Sequence, residues 1–315
     1  MRIIDTHAHY DDDAFDEDRG ELLGKLLKEG GVELAVNMGA SMYGADESAA
    51  YAEKYDYVYA GIGIHPDDVG VFEHAGISRE EAAELTRKEI RDREGVDQGE
   101  AAEAVADAAA ESSIQIGRKY QEAIRFSSAD DAMSHLIGMC RLPKTVTLGE
   151  IGLDYHWMVE PKEVQKKWFI RQLRLAAELG LPINVHSRDA AQDTFDTIKE
   201  HHSGTTGGII HCYSGSAELA QEYIRMGYYL GVGGVVTYKN SKVLKRVVSE
   251  IPLEYLVTET DSPYLAPTPH RGERNDSRNI RYVIEKIAEL KEMDPEDCAE
   301  ILRENARKVY RITEA

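Results

Sequence analysis

Eight short apolar runs, most of them followed by a stretch of helical periodicity, predict an α/β chain folded as a single (β/α)8 TIM barrel. Two further observations point the same way. A length of 315 residues suits one such barrel and buries a substantial core without disulfides. Metal-ligating side chains also recur at the ends of the runs, the rim where this architecture gathers its functional groups. No linker rich in Pro, Gly or Ser divides the chain, so 1–315 reads as one domain.

The elements follow in order. The first strand is Arg2-Ile3-Ile4, running into Asp5-Thr6-His7-Ala8-His9. Alternate side chains of a strand share a face, so His7 and His9 are aimed together as a chelating pair. The acidic stretch 11–18 reads as a solvated loop and helix start. Leu22, Leu23, Leu26 and Leu27 have helical spacing that stops at Gly30-Gly31. A second strand covers 33–37, a helix 48–55, and a third strand 57–64, which ends at His65-Pro66. The alternation then breaks. Residues 72–142 hold no clear strand but contain helical runs over 79–93, 100–111 and 113–126, and read as a helical insertion after strand 3. Strand 4 covers 145–150 and is followed by a helix over 164–179 closed by Gly180. Strand 5 (181–186), strand 6 (208–211), strand 7 (228–232) and strand 8 (253–259) alternate with helices over 190–201, 217–226 and 242–250. Helices over 278–291 and 295–309 finish the chain. Gly231-Val232-Gly233-Gly234 lacks a full dinucleotide fingerprint and reads as a turn where backbone passes close to something.

Composition narrows the function classes. A formal net charge of -20 argues against a protein that grips long duplex nucleic acid through a basic surface. It leaves open a nuclease holding a strand end in a metal-charged cleft. Cys140, Cys212 and Cys298 are far apart and read as reduced thiols of a cytoplasmic protein. The chain enters a strand at once with no signal segment, and no apolar run approaches a membrane span. Nothing in the sequence marks an obligate protein partner.

Potential ligands fall repeatedly at strand ends: His7 and His9, His65, Glu150, His186, His211 and Asp261. With His65 set aside, four imidazoles and two carboxylates exceed one tetrahedral ion and suit two adjacent ions that activate water for hydrolysis of a phosphoester, ester or amide. A mononuclear centre with spare histidines and a non-hydrolytic isomerase barrel are the alternatives. Imidazole-rich ligation suits Zn, Mn, Fe or Ni better than Mg, with Zn or Mn the preferred pair.

The stretches Ile4-Asp5-Thr6-His7-Ala8-His9, Gly63-Ile64-His65-Pro66, Gly149-Glu150-Ile151-Gly152-Leu153-Asp154-Tyr155, Asn184-Val185-His186-Ser187-Arg188, His211-Cys212-Tyr213-Ser214-Gly215 and Thr258-Glu259-Thr260-Asp261-Ser262-Pro263-Tyr264-Leu265 occur in this order. Together with Pro269-His270-Arg271-Gly272-Glu273-Arg274-Asn275, they give a chain that resembles the TatD metal-dependent hydrolases, within the amidohydrolase-like barrels. The likeness spans all but the insertion. It implies that His7, His9, Glu150 and Asp261 hold one divalent ion and Glu150, His186 and His211 a second, with Glu150 bridging and Asp261 as general base. The family's usual ion is Mg. It also implies a deoxyribonuclease with 3'-5' exonuclease action on single-stranded DNA ends; ester, amide or D-aminoacyl-tRNA hydrolysis is the alternative. His65, Arg188, Tyr213, Asp154 and Arg271 are the expected substrate-side residues, with Arg188 matched to phosphate, Tyr213 stacking on a base, and Asp154 holding a histidine or Arg188. The sequence departs from the family where Asp67-Asp68 follows Pro66 and where Asp276-Ser277 follows Asn275.

Overall fold

A computed structural model describes residues 1–94, 118–202 and 204–313. The chain forms two compact units, Met1–Asp67 with Gly138–Ala315, and Asp68–Ile137. The first contains one eight-stranded parallel sheet in sequential order: β1 (Ile3–Ala8), β2 (Val32–Gly39), β3 (Val58–Ile62), β4 (Thr145–Asp154), β5 (Ile183–Arg188), β6 (Gly208–Ile210), β7 (Tyr228–Val232) and β8 (Leu256–Thr258). Parallel neighbours need crossovers, and the helices Met42–Lys54, Lys162–Leu179, Ala191–His201, Ala217–Arg225 and Lys242–Glu250 supply them. β8 returns to β1: the Thr6 hydroxyl donates to the Thr258 carbonyl, the Thr258 hydroxyl to the Ile4 carbonyl, and the Asp261 N–H to the His7 carbonyl. The eight strands thus make a nearly closed TIM barrel.

Ile4, Leu34, Val36, Met38, Val146, Ile209, Tyr229 and Val257, from six strands, pack into one buried cluster with Val309 and Tyr310 of the last helix. Side chains from opposite walls of a barrel meet only inside it, so this cluster is the barrel's floor. A second cluster, including Phe15, Leu22, Leu23, Leu27, Ala35 and Val58, fills the space outside β2 and β3.

Several boundaries differ from expectation; the helix expected over 48–55, for instance, begins at Met42. Strand 8 starts at Leu256 because Pro252 leads into a 3-10 turn over Leu253–Tyr255. Strand 4 runs on to Asp154, and its pairing with β5 shifts between Leu148 and Ile151. That irregularity re-aims Glu150, which stands within a strand rather than at its tip. The leucines of 22–27 are helical, with one wide turn over Leu22–Leu26. Between β3 and β4 the described residues hold helices Gly70–Glu73, Arg79–Glu94, Arg118–Ala123 and Ala129–Cys140 and no strand. The run expected over 100–111 lies outside the described residues, and that over 113–126 is described from Arg118 onward. Within the second unit, His74 packs edge-on against the buried Tyr120.

Candidate metal centre

β1 carries Asp5 and His7 to the barrel mouth, and His9 follows directly. The Nε2 atoms of His7 and His9 face each other at 3.0 Å. Each turns its other nitrogen outward: His7 Nδ1 donates to the Asn184 side-chain oxygen at 3.0 Å and His9 Nδ1 to the Met38 carbonyl at 2.8 Å. Those acceptors keep Nδ1 as the donor and leave both Nε2 atoms pointing inward.

Glu150 is the shared centre of the cluster. Its Oε2 lies 3.5 Å from His7 Nε2 and 3.6 Å from His9 Nε2. Its Oε1 lies 2.8 Å from His186 Nδ1 and 3.9 Å from Nε2 of both His65 and His211. Asp261 Oδ1 stands 3.5 Å from His9 Nε2, 3.5 Å from His211 Nε2 and 3.8 Å from His7 Nε2. The His7 and His211 rings stack with centroids 3.5 Å apart. Asp261 reaches this position with φ at +56°, a conformation costly for a non-glycine residue and often found at functional sites.

The electrostatics follow from crowding charge in a buried space. Burial alone would raise the Glu150 carboxyl, but the field of His7 and the bond from His186 hold it well below the usual range. Burial likewise opposes ionisation of Asp261, and His211, His9 and His7 together keep it low. Burial would lower His9, His186 and His211, yet the facing carboxylates raise them to about 10, about 9 and about 9. His7 is lowered by burial and by the neighbouring His211, and His65 falls to about 3 through burial and His186. The cavity therefore draws positive charge onto itself. Inward-facing ring nitrogens and two ionised carboxylates are a donor set that fits divalent cations, which would take the place of the protons held there. Close ligand groups include His7–His9–Glu150, His7–His211–Asp261 and His65–Glu150–His186.

The expected substrate-side residues separate. His65 joins the ligand cluster itself, its Nδ1 accepting from the Asp67 N–H. Asp154 supports the cluster: its Oδ2 lies 3.1 Å from His186 Nε2. Arg188 and Arg271 are exposed, over the rings of Trp157 and Tyr238 respectively. Tyr213 does not fit the expected stacking role. It is buried, its hydroxyl donates to the Ser216 carbonyl, and Gly215 passes so close that a Cβ there would meet the phenol oxygen at 2.6 Å. It is a wall residue with no open ring face.

Several supporting residues escape sequence reading. Fully buried Glu259 accepts from the Cys212 N–H through Oε1 and places Oε2 3.1 Å from His211 Nδ1. Gly231 makes room for that carboxylate, since a Cβ there would lie 2.2 Å from Oε2. The close passage expected at the glycine-rich turn is this carboxylate. Asp5 is buried and accepts from Ser277 and Thr260 hydroxyls at 2.6 Å, tying β1 to the tail; burial raises its carboxyl to about 7 despite those bonds. Asn184 stands two residues before His186 on β5, so period-2 spacing was the available signal there, whereas Glu259 and Asp261 lie just past the end of β8.

The profile of the TatD related DNase family matches residues 4–311. The chain belongs to the TatD family. It is 37% identical over 310 residues to the uncharacterized metal-dependent hydrolase YabD of Bacillus subtilis, covering 98% of this chain and 99% of that one. It is 29% identical to the uncharacterized metal-dependent hydrolase MJ1582 of Methanocaldococcus jannaschii, over 99% and 98% of the two chains. Among solved structures, YJJV, a TatD homolog from Escherichia coli, superposes with a TM-score of 0.71 at 25% identity, over 99% of both chains. A TatD family hydrolase from Entamoeba histolytica gives 0.72 at 18% identity and shares the fold. This TatD-family chain is a metal-dependent hydrolase whose candidate ligands gather at the barrel mouth. No helix among its described residues is long and apolar enough to cross a membrane.

Proposed function

We propose that this chain is a two-ion phosphodiesterase that removes nucleotides from 3' ends of single-stranded DNA in the cytoplasm. The observation that carries the reading is Glu150, whose two oxygens each face a different set of imidazoles. Such a carboxylate suits a bridge between two sites: His7, His9 and Asp261 on one side, His186 and His211 on the other. Two divalent ions, Zn, Mn or Mg, supply acidified water and charge neutralisation when bound. Asp261, held ionised and mostly buried with one-fifth of its side chain exposed, takes a proton from the attacking water and returns it to the leaving oxygen. Glu150 stays anionic throughout. Arg188, exposed at the end of β5, meets the phosphate with its planar fork. The name of the matching family supports DNA as substrate. We also read 72–142 as an insertion into the barrel domain.

The test is a metal-reconstituted assay. Full-length protein with Mn²⁺, Mg²⁺ or Zn²⁺ is given 5'-labelled single-stranded DNA beside a panel of esters and D-aminoacyl-tRNA. Stepwise shortening from the 3' end is expected, and Asp261→Asn is expected to slow it by about 10²–10⁴-fold, the usual contribution of a positioned acid–base group. Turnover of an ester or D-aminoacyl-tRNA with no DNA cleavage in any metal would shift the reading to an ester or amide hydrolase on the same site.

A further inference from the structure

The turn after β4 presents three consecutive apolar side chains to solvent: Trp157 is 62% exposed, Met158 41% and Val159 37%. One exposed apolar residue is ordinary, whereas a run of them beside a polar site marks a binding surface. The turn is anchored to the ligand cluster by one carboxylate. Asp154 Oδ1 accepts the backbone N–H groups of His156 at 2.8 Å and Trp157 at 2.9 Å, while its Oδ2 lies 3.1 Å from His186 Nε2. The indole therefore stands on the same support as a candidate metal ligand. His156 meets the indole edge-on, with centroids 4.8 Å apart.

Arg188 completes the arrangement. Its guanidinium carbon lies 5.4 Å from the Trp157 ring centre, and it forms no ion pair among the described residues. An unpaired cation is notable in a chain of net charge -20, and it fits an anionic group of a ligand. An exposed aromatic face beside a free guanidinium, next to a site suited to phosphodiester hydrolysis, is the pairing by which proteins hold single-stranded nucleic acid without reading its sequence.

We propose that Trp157 and Arg188 form the seat of the substrate strand's terminal nucleotide, the indole stacking on its base and the guanidinium pairing with its phosphate. This rests on the phosphodiesterase reading. The seat takes over the stacking role that buried Tyr213 cannot perform, and it accepts any base because every base has a π-face.

Fluorescence tests it without turnover. The chain has two tryptophans, and Trp168 is buried, so exposed Trp157 dominates quenching by added ligand. A phosphorothioate oligothymidylate is expected to quench the wild type, a strand of abasic residues with the same backbone charge to quench little, and Trp157→Phe to remove the response. In the cleavage assay with Mn²⁺, Trp157→Ala is expected to raise KM for single-stranded DNA about tenfold, the scale of one lost base stack. Its kcat should change less than twofold, and Trp157→Phe should recover most of the KM. Equal quenching by the base-bearing and abasic strands, or an unchanged KM in Trp157→Ala, overturns the seat while leaving the phosphodiesterase intact. If the wild type cuts no DNA at all, the functional reading fails, and base-dependent quenching alone then decides the seat: its presence supports a nucleobase site and its absence overturns it.

Discussion

Two groups of buried histidines face opposite electrostatic fates. At the mouth, His9, His186 and His211 lie within reach of Glu150, Asp261 and Asp154, and the carboxylates draw protons onto them. His202, just after the helix Ala191–His201, has the Tyr228 hydroxyl at the start of β7 as the one hydrogen-bond partner of its ring among the described residues, and burial lowers it to about 4. The same side chain is raised or lowered according to what faces it: carboxylates raise His9, His186 and His211, whereas burial and neighbouring imidazoles lower His7 and His65 in the same mouth. The strands themselves show the same division. β4 carries Val146 in the floor and Glu150 at the mouth; β1 carries Ile4 and then His7. Stability resides in one layer and chemistry in the other, joined by a few residues of backbone.

The largest expected effect separates the layers from below. Leu34 is buried in the floor on β2, away from every candidate ligand. Leu34→Ala removes packing and leaves a void, so it should cost about 2–5 kcal/mol in urea unfolding. Its affinity for Mn²⁺ by calorimetry should stay within about twofold, because distant independent sites rarely couple. A tenfold loss of metal affinity would show that floor and mouth are one cooperative layer.

From above, Glu259→Gln keeps the shape of a side chain that touches no expected ligand except His211 and the Cys212 N–H. The carboxylate that orients the His211 ring is then lost. Metal affinity or activity should fall about 10–100-fold, as is usual for such outer partners. The urea midpoint should move far less than in Leu34→Ala. Unchanged metal affinity would show that Glu259 serves only to fill the space above Gly231.

The contrast also explains what the sequence made legible. The strands are readable because each is an apolar run with a polar end, and the ligands because polar side chains that close to a buried run require partners. Glu150 is readable as a ligand, but its mid-strand position is not, since it depends on how β4 registers against β5. Asn184 and Glu259 look like ordinary polar residues, and their roles emerge only when another strand brings a histidine opposite. Tyr213, expected at the substrate, is buried, and Trp157, which carried no expectation, is exposed. Burial of one and exposure of the other follow from how the chain folds locally, packing Tyr213 against Gly215 and Tyr223 and holding Trp157 on a turn anchored by Asp154.

The smallest effect concerns His202 and carries a definite sign. Its ordinary pKa is 6.5 and its folded value about 4. Below pH 6.5 the unfolded chain takes up a proton that the folded chain refuses. Stability is therefore lost as pH falls from 6.5, and the loss stops growing below about 4. At pH 5 it amounts to about 1–2 kcal/mol. Carboxylates throughout the chain also titrate in this window, so the informative quantity is a difference between variants. His202→Gln has nothing to protonate, and between pH 7.5 and pH 5 its unfolding free energy should fall less than the wild type's by that amount. Parallel curves would mean that His202 is protonated in the folded chain as readily as in the unfolded one, and the neutral histidine beside the start of β7 would then no longer stand opposite the charged histidines of the mouth.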